Sequence, residues 1–419
     1  MTPSLLFLLA CTGAKEPNLI EPISPIKTET KAEPERPKTE TIHVDLSGST
    51  QLSTQFAVRL NHVLMSGAGP TNVLYSPSSA QSALGMTLLG ANGKTRTAMK
   101  TALSIPQETD GAELLGQLQN SWDGYSGPGE LTVVNRIWVD NTVSLLPTFE
   151  QQTTLFFNAS TASADFIGAP NDSRLAINGW VSDQTKKRIP DLLTPPVITS
   201  NTRLVLVNAV YFLADWARPF KANQTRELPF ALVDSDPVPV QTMFQSQTFR
   251  YGELGGVQGV ELPYRGERFA MRVFLAPKDS GLDGLDGIMS AKFLNEWSIA
   301  SSRQKVNLWL PKFELKDARS LSEPLTKLGM GVAFSKAADF TGMIDDVELY
   351  ISDVVQSVFV KVDETGTEAA AATAVIMETR SAMVPVQPKV FRADRPFLFM
   401  IWDNELNAPL FVGRVTDPR

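Results

Sequence analysis

Residues 366–381 read GTEAAAATAVIMETRS, and no other stretch of the chain restricts its fold so tightly. The stretch follows an apolar, strand-like run at 357–362 (SVFVKV) and precedes another at 397–401, so by position it is a loop between two sheet elements. Its composition is not that of a loop: it has one glycine, no proline before Pro385, and a block of alanines and threonines where loops collect Gly, Pro, Asn and Asp. Two readings stand. With Thr367 as a cap and Glu368 in the first turn, the alanines that follow make a helix start. The same small side chains suit a segment that is exposed in one state and slides between two strands in another. Bulky or charged residues at its inward-facing alternate positions would leave misfits or unpaired charge in a packed sheet. By period two, Thr367, Ala369, Ala371 and Thr373 share one face, and Glu368, Ala370 and Ala372 the other.

A chain of 419 residues, 43% hydrophobic and 20% charged, is long enough to bury a large core. A net charge of -7 without a long basic run speaks for solubility and against a nucleic-acid partner. The apolar run at residues 5–10 is far too short to cross a bilayer and reads as the core of an export signal. It ends in Leu8, Leu9, Ala10 and Cys11, which resembles a bacterial lipobox and would make Cys11, the only cysteine, a lipid anchor. The other reading is a plain secretory signal with an incidental cysteine, or a misassigned start, since no Lys or Arg precedes the run. Residues 12–49, rich in Pro, Glu, Lys and Thr, cannot bury enough apolar area to offset ordering entropy and read as a disordered tether. The expected organisation is thus a signal peptide at 1–11, a tether at 12–49 and one folded domain at 50–419. The expected destination is the outer membrane or cell surface, or the extracellular space.

Within the folded part, Phe56, Leu60, Val63 and Leu64 mark a first amphipathic helix from about Leu52. Residues 72–90 read as a short strand, a Ser-Pro helix start, and a helix with Ala80, Ala83, Leu84 and Leu88 on one face. The runs LTVVNRIWV at 131–139 and LVLVNAVYF at 204–212 are too apolar for one-sided exposure and read as central strands of a covered sheet. Residues 177–193 read as a helix closing at a proline, 260–275 as two strands about a glycine-containing turn, and 306–313 as one strand. A short helix at 324–334 ends around Gly329, and 391–415 is an apolar hairpin. Without a regular βαβ rhythm the class is α+β. Only His43 and His62 exist, one in the tether and one in the first helix, and the lone cysteine sits at the N-terminus, so no Ser-His-Asp or Cys-His site is expected. Phosphate-binding glycine loops and metal-ligand spacings are absent from the sequence, and the expectation is no enzyme, no cofactor and no metal.

The order Glu364, Thr365, Gly366, Thr367, Glu368, Ala369, Ala370, Ala371, Ala372, Thr373 resembles the hinge of a serpin reactive-centre loop. The resemblance extends over roughly residues 52–418. It implies the serpin fold: three β-sheets, about eight or nine helices and an exposed reactive-centre loop. The family's usual spacing after the hinge glycine puts the reactive bond at Arg380–Ser381, and Arg380 is the only basic residue between Lys361 and Lys389. Met377 or Met383 would serve other proteases. The resemblance assigns Ser76, Ser79 and Asn208 to the shutter beneath the main sheet, with Gln356 where the family usually has a histidine. It assigns Trp216 to the breach where the loop first enters, and matches Lys312 in LPKF to a partner of Glu364; the alternative is two separate exposed charges. The function it implies is that of a monomeric suicide-substrate inhibitor forming a covalent acyl complex with trypsin-like serine proteases. Residues 367–379 would then enter the sheet as a strand about 43 Å long, a known case of strain released by cleavage. A non-inhibitory serpin-fold binding protein and an inert surface lipoprotein are the alternatives.

Overall fold

Two hydrogen-bonded sheets organise the chain in a computed structural model that describes residues 47–123, 125–344, 348–367 and 387–419. Cys11 and the tether up to residue 46 lie outside the described residues, as do Glu368, Ala369, Ala370, Ala371, Ala372, Thr373, Arg380 and Ser381. The six-stranded sheet runs Phe313–Ser320, Asp353–Val362, Gly366–Thr367, Leu204–Asp215, Glu130–Asp140, Thr161–Ala164. The nine-stranded sheet runs Val73–Tyr75, Ala408–Val415, Phe397–Asp403, Phe269–Leu275, Val257–Pro263, Val238–Leu254, Ser302–Pro311, Lys389–Arg392, with Arg226–Phe230 paired to Val238–Leu254. The resemblance divides these strands among three sheets. Here the 17-residue strand Val238–Leu254 pairs with Arg226–Phe230 at its start, with Val257–Pro263 at its end and with Ser302–Pro311 between, so hydrogen bonding makes one sheet of two. Nine α-helices accompany the sheets among the described residues.

Strand alternation sets where the core lies. In Leu204–Asp215 the even residues Leu204 and Leu206 belong to the core on the side of the helix Pro77–Leu89, while Val210 and Phe212 pack on the nine-stranded sheet. The odd residues Val205, Val207 and Ala209 pack with Ile177 and Val181 of the helix Pro170–Gln184. With both faces covered, a near-continuous apolar run is what such a strand requires.

Two sequence expectations need correction. The helix read at 177–193 is Pro170–Gln184, with proline in its first turn. It stops because Lys186 and Lys187 take positive φ, and Asn178 then binds the chain back, accepting from Leu193 N–H and donating to Leu193 O. The strand read at 306–313 is two, Ser302–Pro311 and Phe313–Ser320, because Lys312 marks the passage from one sheet to the other. The helical segment at 322–334 is broken at Gly329, whose φ of 103° only glycine adopts freely.

Candidate functional site at the head of the six-stranded sheet

Residues 353–359 of one central strand pair in parallel with residues 205–211 of the other. Above that point the strands part, and Gly366 and Thr367 stand between them: Thr367 pairs with Val362 on one side and Ala214 on the other, and Gly366 with Asp215. The sequence reading brought Thr367 into the sheet only after cleavage. In the intact chain the first two hinge residues are already seated, because a tight turn returns the backbone. The Asp363 carboxylate accepts from Thr365 N–H at 2.9 Å and from the Thr365 hydroxyl at 2.6 Å, while Asp363 N–H donates to Gly366 O at 3.0 Å. The next segment of the other strand clamps this turn from outside. Trp216 N–H donates to Thr365 O and Phe220 N–H to Glu364 O, both at 2.8 Å, and the Trp216 indole donates to Asp363 O at 2.9 Å.

The geometry explains the hinge residues one by one. Gly366 is needed for close approach: a Cβ there would lie 2.1 Å from Ala214 O, a backbone atom that cannot yield cheaply. Thr367 is fully buried, and its hydroxyl lies 2.6 Å from that of Tyr264. Tyr264 is itself stacked on Trp216, ring centroids 4.5 Å apart and 10° from parallel, with Phe212 edge-on at 5.0 Å. Burial pushes the Tyr264 phenol far above its ordinary value, so it stays neutral and able to hydrogen-bond. Glu364 Oε2 is 2.8 Å from Lys312 Nζ, and the Thr225 hydroxyl donates to Oε1 at 2.7 Å. Burial alone would raise the Glu364 carboxyl, but hydrogen bonds from Lys312 and Thr225 outweigh it and hold the carboxyl below its ordinary value.

Lower in the sheet, three amide side chains lie in one row across adjacent strands, since Gln356 is in register with Asn208 and Asn208 with Asn135. All three are buried. Gln356 accepts from Ser76 N–H at 2.9 Å, and its amide nitrogen donates to Ser76 O at 2.9 Å and to Asn208 Oδ1 at 2.8 Å. Asn208 Nδ2 donates to Ser79 O at 2.9 Å and also lies against the Ser79 hydroxyl and Asn135 Oδ1. Asn135 donates to Gln119 Oε1 at 3.0 Å, and Gln119 to Phe157 O at 3.0 Å. Ser76 caps the helix Pro77–Leu89 and donates to Leu410 O at 2.7 Å, which fixes the row to the start of that helix. Glutamine at 356 serves here because its amide both donates and accepts.

Ser76, Ser79, Asn208 and Gln356 are thus brought together in the row, and Trp216, Lys312, Glu364, Gly366 and Thr367 at the head of the sheet. The sequence reading passed over Asp363, Thr225, Tyr264, Asn135 and Gln119. A signal existed for two: Asp363 opens a D-x-T-G turn pattern, and Asn135 interrupts an apolar strand as Asn208 does.

The site is thus a sheet parted at its head by Gly366 and Thr367 and joined below them, beside a row of buried amides. The family model for Serpin (serine protease inhibitor) matches residues 51–418, and the chain belongs to that family. It is 36% identical over 374 residues to the leukocyte elastase inhibitor of Sus scrofa, covering 87% of this chain and 98% of that one. It is 38% identical over 352 residues to an uncharacterised serpin-like protein of Thermococcus kodakarensis, with 83% and 81% covered. Among solved structures it resembles Serpin48 of the insect Tenebrio molitor, at 30% identity, TM-score 0.78 and coverage of 91% and 100%. It also resembles human thyroxine-binding globulin complexed with thyroxine, at 25% identity, TM-score 0.82 and coverage of 89% and 99%.

Proposed function

We propose that this serpin is a suicide-substrate inhibitor of trypsin-like serine proteases, not an enzyme, and that it presents Arg380–Ser381 as bait from an exported, lipid-anchored position. The observation that carries the reading is the seat of Gly366 and Thr367 between two central strands that remain joined below them. A protease serine attacking the Arg380 carbonyl releases the Ser381 amine and leaves an acyl ester. The long cation of Arg380 suits an acidic primary pocket. Freed from its far end, the loop extends the strand begun at Gly366, parting the seven register pairs between 353–359 and 205–211 as it advances. Each residue added gains ladder hydrogen bonds worth about 1 kcal/mol apiece, and the attached protease is carried along the sheet.

A second reading, cleavage after Met377 or Met383 by a protease that takes apolar side chains, draws support from relatives named for elastase inhibition. Incubation with trypsin decides. The expected product is an adduct stable in SDS, with Ser381 as the new N-terminus, lost in Arg380→Ala. Free cleaved protein beside active trypsin would point instead to a non-inhibitory binding role. Cys11→Ser is expected to release the protein from membranes, and unchanged fractionation would remove the anchor from the account.

A further inference from the structure

Thr367 is fully buried, and its hydroxyl meets that of Tyr264 at 2.6 Å. Tyr264 cannot follow the hinge if it moves: its ring is held between Trp216 and Phe212, and its backbone bridges Trp216. The pair therefore differs between two hinge states. With the hinge in the sheet both hydroxyls are satisfied; with the hinge out, both return to water or stay unpaired.

We propose that Tyr264 is a positioning residue that holds the intact loop at the first step of insertion, and so biases the acyl intermediate toward trapping and away from release. The proposal rests on the inhibitory reading for its consequence but not for its first test. In the resting protein, Gly366 and Thr367 lie between two strands, so their amides exchange with solvent only when the hinge leaves. A buried hydroxyl stripped of its partner destabilises the seated state.

Hydrogen exchange of residues 363–367, measured on the intact chain with no protease present, is expected to be about fivefold faster in Tyr264→Phe and in Thr367→Val, a net single-bond effect. The double variant Tyr264→Phe with Thr367→Val replaces both hydroxyls by apolar groups and is expected to return to near the wild-type rate. With trypsin, the ratio of cleaved product to covalent adduct should rise about fivefold in each single variant and recover in the double. Unchanged exchange in Tyr264→Phe, or a double variant that loses as much as both singles combined, overturns the proposal. Exchange that follows the expected pattern in a protein that traps no protease leaves the latch standing and sinks the inhibitory reading instead.

Discussion

The same two strands, Asp353–Val362 and Leu204–Asp215, meet in opposite ways at their two ends. Below, they pair directly, and a side-chain bond from Gln356 to Asn208 joins them as well. Above, they are held apart by two hinge residues seated against a stack of aromatic rings. Beside the backbone ladder of the lower closure, the amides are tethered separately, Gln356 to Ser76 and Asn208 to Ser79, so each strand has its own anchor. The upper opening is made of contacts specific to glycine at 366 and a small hydroxyl residue at 367. The two ends thus differ in kind: a seven-pair ladder with an amide row below, and an entrance already occupied by two residues above.

The widest difference between the two ends should vanish when the loop is cut. If the severed loop fills the lower seam, the cleaved protein gains on the order of 10 kcal/mol in ladder bonds and should melt at least about 10 °C higher than the intact one. Equal melting temperatures would mean the lower seam never opens. Next in size, Gly366→Ala places a methyl group against Ala214 O and should drive the hinge from its seat. A cost of about 2 kcal/mol corresponds to a thirtyfold fall in seated hinge, read by hydrogen exchange at 363–367; slow exchange in that variant would show that the entrance tolerates a side chain. Gln356→Leu tests the lower end, leaving the Ser76 amide and Asn208 Oδ1 without their partner at a cost of about 2 kcal/mol. It should lower Tm by a few degrees while Gln356→His retains most of the stability, and an unchanged Tm in the leucine variant would separate closure from the amide row.

The smallest effect concerns Lys312 and Glu364. Lys312 is 38% exposed, so solvent screening limits the pair to below about 1 kcal/mol. Because the folded state depresses the Glu364 carboxyl, its contribution is complete above the ordinary value of 4.5 and fades as pH falls toward the depressed value. The stability difference between wild type and Glu364→Gln should follow that course, and a difference independent of pH would assign the effect to packing.

Much of this was legible before any coordinates. Leu204–Asp215 shows itself because burial on both faces calls for a near-continuous apolar run, broken at Asn208, whereas the alanine block that marks the hinge in the sequence lies outside the described residues. The cap at Ser76 follows from Ser-Pro opening an apolar helix. What escaped depends on distant contacts. Nothing local tells that Lys186 and Lys187 take positive φ and end a helix, or that one strand serves both halves of the nine-stranded sheet. The seating of Thr367 needs Asp363, Trp216 and Tyr264 together, from three segments of the chain.

The loop's two feet stand on different sheets, the near one at Thr367 and the far one at Lys389–Arg392, the outermost strand of the nine. That far strand is held by four register pairs to Ser302–Pro311, with Val390 open to solvent. On the proposed mechanism, an uncut loop would advance down the seam only if this short edge strand peeled away. Under the proposed inhibitory role, the shelf life of the unspent molecule would then depend on this edge strand, and it should shorten with any change that frays that edge even when no protease is near.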